Sequence, residues 1–259
     1  MDKEYVANLI DKGQIFEMTP VSGGDIARAF RLNTEEGVYF MKINPAHGMS
    51  VAEAAGLNTL RDAGGLRVPE VNRALEGKES LLLLEWVGQG DLSKDYWEKA
   101  GSGLAAVHAI QGLEFGFYDD TFIGPIVKRN DHHKEWASFY AEQRLIPLAR
   151  QCFDQGKFTQ SNLHQLDRLC RQLNDHFPTE NPSLVHGDLW SGNLMCDDHG
   201  QPVLIDPAVY YGHREMDLGM TALFGRFPEP FYDAYHEQYP LEKGWRERMP
   251  LTQLWPLMV

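Results

Sequence analysis

The stretch Leu184-Val185-His186-Gly187-Asp188-Leu189-Trp190-Ser191-Gly192-Asn193 constrains this chain most. Its two glycines and its acid and amide make it too irregular for a helix. Yet it opens on an apolar pair, and Leu194-Met195 and Val203-Leu204-Ile205 follow it. Short apolar runs broken by Gly, Asp and Asn read as strands joined by tight loops. A strand that ends at His186-Gly187-Asp188 and resumes after Asn193 holds Asp188 and Asn193 on one side of a loop, and the next apolar run ends in Asp206-Pro207. Phosphoryl transfer asks for this set: a carboxylate to receive the hydroxyl proton, and two oxygen ligands for Mg²⁺ ions that bridge the phosphates of ATP. The spacing therefore predicts Asp188 as the catalytic base and Asn193 and Asp206 as metal ligands, with His186 structural.

The N-terminal third has a different texture and supplies the remaining parts. Residues 1–13 read as a short amphipathic helix ended at Gly13. A loop at 21–25, a strand at 27–32, a turn at 33–37 and a strand at 38–43 follow, then a helix at 51–63 closed by Gly64-Gly65 and strands at 68–74 and 80–87. Ser22-Gly23-Gly24 sits between strands, where backbone N–H groups can approach phosphates with no Cβ in the way. Lys42 lies mid-strand on the face of Val38 and Phe40, a costly place for an ammonium without a partner. Glu53 on the next helix can be that partner, holding the lysine on the α- and β-phosphates. The backbone of Glu85-Trp86-Val87 could hydrogen-bond an adenine edge. The same spacing, H-x-D-x-x-x-x-N followed by a later Asp, marks the catalytic loop and metal-binding Asp of protein kinases.

Composition shifts at Val87-Gly88-Gln89-Gly90, which predicts a nucleotide-binding lobe at 1–87 and a larger, mostly helical catalytic and substrate lobe at 88–259. Helices are expected at 93–110, 134–155, 159–176 and 229–238. A net charge of -13 without a basic cluster argues against nucleic acid. No apolar run approaches the ~18 residues of a membrane span. The N-terminus carries acids where a signal peptide carries bases. Cys152, Cys170 and Cys196 lack C-x-x-C spacing. The expectation is a cytoplasmic chain without membrane or nucleic-acid partners, for which an oligomer stays compatible.

With these residues assembled, the sequence resembles the fructosamine kinase (ketosamine-3-kinase) family, a branch of the aminoglycoside-phosphotransferase-like kinases. The carrying segments are PVSGGDIARAFRL at 20–32, EAAGL at 53–57, FGFYDDTFIG at 115–124, EWASFYAEQRLIP at 135–147, HGDLWSGN at 186–193 and IDPAVYYGHREMDLGMTALFGRFP at 205–228. The resemblance implies an α+β, bilobal protein-kinase-like fold with a small antiparallel-sheet lobe. It also implies an enzyme that uses Mg-ATP to phosphorylate a sugar hydroxyl of a ketosamine, free or on a glycated amine or protein, as deglycating repair. Carried over, Asp188 is the base, Asn193 and Asp206 hold Mg²⁺, Lys42 contacts phosphates with Glu53 orienting it, and Asp217 braces the catalytic loop. Trp190, Tyr210, His213, Arg214 and Glu215 are expected near the acceptor. Alternatives on the same residues are a kinase of another hydroxylated amine, aminoglycoside or choline-like, and a catalytically weak nucleotide-binding module. Two departures stand out. Asp25 puts an acid beside the phosphates. The apolar run Leu254-Trp255-Pro256-Leu257 stops at Val259, where family members usually continue, so a truncated terminal helix or a covering partner is expected.

Overall fold

The structure, a computed structural model, describes residues 3–21, 27–77 and 80–259. The phosphate-loop residues Ser22, Gly23, Gly24 and Asp25 lie outside them. Helix α1 (Lys3–Ile10) is followed by β1 (Ile15–Val21), β2 (Arg28–Thr34), β3 (Gly37–Asn44), α2 (Met49–Ala63), β4 (Val71–Leu75) and β5 (Ser80–Glu85). The strands form an antiparallel sheet of order β1-β2-β3-β5-β4. The period-two pattern explains why both faces of β5 are apolar. Leu81 and Leu83 join Met41, Ile43, Val6 and Ile10 under α1, while Leu82 and Leu84 face the other way, into the core shared with Leu57 and Leu60 of α2. On β3 this alternation buries Met41 and Ile43 and turns Phe40, Lys42 and Asn44 to the cleft.

The larger part begins with α3 (Tyr96–His108) and the hairpin β6 (Thr121–Ile123) and β7 (Ile126–Lys128). Then come α4 (Trp136–Phe139), a π-helical turn at Tyr140–Leu145, α5 (Ile146–Asp154), α6 (Gln160–Cys170) and α7 (Leu173–His176). Strands β8 (Ser183–Val185), β9 (Leu194–Cys196), β10 (Pro202–Leu204) and β11 (Tyr210–Gly212) carry the loops of interest, and α8 (Glu215–Leu223), α9 (Glu229–Gln238), α10 (Trp245–Thr252) and α11 (Leu254–Met258) complete the chain. Helix α3 crosses α9 so closely that a Cβ on Gly101 would stand 2.0 Å from the Phe231 carbonyl oxygen. This contact needs glycine.

The expected helices at 134–155 and 159–176 are each interrupted, the first by the π turn before Pro147 and the second at Arg171-Gln172. Strand β1 and helix α8 carry no clean apolar period. The first is an edge strand that is mostly exposed, and the second buries Glu215 and Asp217 in its first turn. At the chain end Trp255 is buried in the main core, while Leu257 is 65% exposed. No helix of the described residues is long and apolar enough to cross a membrane.

Candidate active site

A cleft of about 670 Å³ lies between the inner face of the sheet and the loops after β8 and β10. From the sheet side Lys42 Nζ donates to Glu53 Oε2 at 2.9 Å, and from the other side it meets Asp206 Oδ2 at 3.1 Å. A single ammonium thus joins α2 to the strand end that carries Asp206. Burial works against the Lys42 cation, but Glu53 and Asp206 outweigh it and hold the amine protonated. Burial pushes the Glu53 carboxyl up to about 8, with Lys42 opposing and Asp206 adding to the rise. Asp206 is also desolvated, yet Lys42 keeps it below the ordinary carboxylate range. Asp206 sits at φ 51°, in the left-handed region that among non-glycine residues Asp and Asn enter most readily.

Asp188 hangs on a loop whose backbone is fixed from several sides. Asp217 on α8 accepts the N–H of His186 at 2.6 Å and of Gly187 at 2.9 Å, so the expected brace is present as geometry. Asp217 is in turn 3.2 Å from His108 Nε2, whose Nδ1 meets the Tyr235 hydroxyl at 2.7 Å. His186 is fully buried: its Nε2 bonds the Ile205 carbonyl at 3.0 Å and its Nδ1 faces the Asp188 N–H at 3.3 Å. Burial lowers its pKa, and a neutral ring with Nε2–H satisfies both bonds. Gly187 has φ 82°, and a Cβ there would fall 2.1 Å from the Ala208 carbonyl oxygen. Burial pushes the Asp188 carboxyl up to about 6, Lys128 pulls it down, and Asp206 and Asp217 push it further up. A carboxylate so placed is a better proton acceptor than a solvated one.

Asn193 donates its amide N–H to the Asp188 carbonyl at 2.9 Å and to Asp188 Oδ2 at 3.2 Å. Its nitrogen is therefore committed and its oxygen is the atom left for a cation. Among the described residues no group of three or more His, Cys, Asp or Glu forms a metal cage. One carboxylate, Asp206, and one amide oxygen fit Mg²⁺, which is held by one or two protein oxygens together with substrate phosphates and water.

At the strand end, Trp86 and Val87 line the cleft. The N–H of Glu85 is already bonded to the Glu70 carbonyl at 2.8 Å, and its carboxylate pairs with Arg67, which also donates to Asp197 Oδ2 at 2.7 Å. An adenine edge could thus use Trp86 and Val87 but not the Glu85 amide. Across the cleft Trp190 is 37% exposed beside Phe224, and Phe122 and Ile123 of β6 face the same space.

The structure does not bring Tyr210, His213, Arg214 and Glu215 to the acceptor side; all four are buried. Arg214 makes a bidentate pair with Glu180 at 2.9 and 2.7 Å and donates to the Tyr239 and Pro240 carbonyls. Glu215 pairs with Arg248, and His213 packs between Trp136 and Phe177. Tyr210 lies under Lys128 and Arg144. These residues lock α8, and with it Asp217, onto the body of the larger part. Sequence reasoning missed Lys128 and the Arg67–Asp197 pair. Lys128 carried a signal related to that of Lys42, a lysine set against apolar residues, Ile126-Val127-Lys128.

The profile of the fructosamine kinase family matches residues 2–259. The chain is 39% identical over 249 residues to a "Probable ketoamine kinase" of Lactiplantibacillus plantarum, covering 94% of this chain and 87% of that one. It is 35% identical over 262 residues to the "Protein-ribulosamine 3-kinase, chloroplastic" of Arabidopsis thaliana, covering 98% and 79%. A crystal structure of a "putative fructosamine-3-kinase" from Thermobifida fusca superposes with a TM-score of 0.88 at 34% identity, covering 99% of this chain and 90% of that one. Aminoglycoside phosphotransferase APH(4)-Ia, 15% identical with a TM-score of 0.65 over 99% of this chain and 90% of that one, shares the kinase-like fold. The chain belongs to the fructosamine kinase family.

Proposed function

We propose that the protein is a Mg-ATP-dependent ketosamine 3-kinase. The observation that carries this reading is the Lys42–Glu53 pair on the sheet wall of a cleft, joined across it to Asp206 on the opposite wall, which also presents Asp188 and Asn193. Lys42 would bind the α- and β-phosphates of ATP, with Glu53 fixing its direction. Asn193 and Asp206 would hold Mg²⁺, which would supply positive charge to the phosphates of ATP. Asp188 would accept the proton of the C3 hydroxyl as that oxygen bonds to the γ-phosphorus and the bond to the ADP oxygen breaks. Such catalysis is mostly positioning and electrostatic stabilisation, which the bracing of Gly187 and His186 serves. Trp190 would offer an aromatic face to the aminated sugar.

The relatives above 30% identity bear ketoamine- and ribulosamine-kinase names, whereas the aminoglycoside enzymes support the fold alone, so ketosamines are favoured over aminoglycosides. The test is ADP release with Mg-ATP and a panel of fructosyl-amines, ribulosyl-amines and aminoglycosides. Turnover of the ketosamines is expected. Turnover of aminoglycosides alone would overturn the reading.

A further inference from the structure

We infer that Lys128 is a positioning residue for the transfer step, a clamp that sets the peptide ahead of Asp188 and ties it to the strand end carrying Asp206. The inference rests on Asp188 as the proton acceptor. Lys128 closes β7 and is 2% exposed. Its Nζ donates to the Gly187 carbonyl at 2.9 Å and to the Ala208 carbonyl at 3.0 Å. Gly187 directly precedes Asp188, and Ala208 lies two residues after Asp206. The peptide linking Gly187 to Asp188 is therefore held at both polar groups, its C=O by Lys128 and its N–H by His186 Nδ1 at 3.3 Å. Rotation of that peptide would swing the Asp188 side chain, and the two bonds oppose it. The Ala208 N–H bonds the His186 carbonyl at 2.9 Å, so Lys128 adds a second crosslink between the two acid-bearing segments.

A buried ammonium is costly, and this one has a second cation beside it. Lys128 Nζ and the Arg144 guanidinium both lie against the Tyr210 ring, 4.7 and 4.5 Å from its centroid. Burial and Arg144 push the lysine pKa down, while Asp188 and Asp217 act in the opposite direction. An apolar residue would avoid that cost but leave two inward carbonyls without a donor. The other strand of the hairpin reaches toward the small sheet, where the Phe122 ring stands 3.6 Å from a Cβ built on Gly48, the residue that opens the Glu53-bearing helix. One hairpin thus touches both α2 and the Asp188 loop.

The test uses the full chain with Mg-ATP and a fructosyl-amine acceptor. K128M keeps the length of the side chain and removes its donors. Its kcat should fall about 100-fold, the scale of a misplaced catalytic group. The KM and calorimetric Kd for ATP should stay within about threefold. K128Q, which keeps one donor group, should show the same selective loss to a smaller extent and serves if K128M does not fold. Unchanged kcat, parallel loss of kcat and ATP binding with a lowered melting temperature, or failure of both variants to fold would each overturn the clamp. A parent enzyme that transfers phosphate, an Asp188→Asn variant that does not and an unaffected K128M would sink the clamp and leave the Asp188 reading standing. An active Asp188→Asn would sink the reading itself.

Discussion

Replacing Asp188 with Asn should abolish phosphate transfer and at the same time stabilise the fold. The loop holds this carboxyl where burial outweighs Lys128, raising it from its ordinary 3.8 to about 6. Ionising it in the folded protein above pH 6 is then about 3 kcal/mol less favourable than in the unfolded chain. The side chain opens partly to the cleft, which screens some of that penalty, and the Asn variant should gain about 1–3 kcal/mol at pH 8. At about 2–4 °C per kcal/mol, this is a rise of roughly 2–12 °C in melting temperature. The sign with pH is fixed. A carboxyl raised in the fold carries almost no penalty below about pH 3, where both states are protonated, and nearly its full penalty above about pH 6. At pH 5 the gain should be about half its value at pH 8. Urea unfolding of parent and variant at the two pH values measures the difference, and ADP release, expected to fall to background in the variant, measures the loss of rate. A variant less stable than the parent at pH 8, or a difference that ignores pH, would refute the electrostatic account of this loop.

Two further outcomes follow from the same geometry. The acid limb of log kcat/KM should break near pH 6, because Asp188 must be unprotonated to accept the hydroxyl proton and its carboxyl in the free enzyme is pushed up to about 6; a flat profile down to pH 4.5 would contradict it. Trp190→Ala should raise KM for the ketosamine about tenfold, roughly 1.4 kcal/mol of lost aromatic contact, with KM for ATP within about twofold. An equal rise in both constants would place Trp190 outside the acceptor region.

Much of this site could be read from local pattern. Lys42 stood out because an ammonium in the middle of a strand needs a partner, and Glu53 was within reach on the next helix. The loop from His186 to Asn193 stood out because its glycines exclude a helix. The residues misjudged are those whose partners are remote in sequence. Arg214 and Glu215 look like site residues in isolation. Their partners Glu180 and Arg248 lie 34 and 33 residues away, and only the fold reveals that the pairs are buried. Strand β1, implied ahead of Ser22 but given no bounds, is faint for the opposite reason, since an edge strand exposed along most of its length leaves no alternating apolar trace. Lys128 joins two loops that lie 59 and 80 residues downstream, a role no window of sequence contains.

The most direct measurement is the identity of the product. With Mg-ATP and a fructosyl-amine labelled with ¹³C at C3, NMR of the reaction should show one new phosphomonoester whose phosphorus couples to that carbon, formed in step with ADP and absent with Asp188→Asn. ADP formed without a sugar phosphate, or a phosphoester at any other carbon, would contradict a ketosamine 3-kinase built around Asp188.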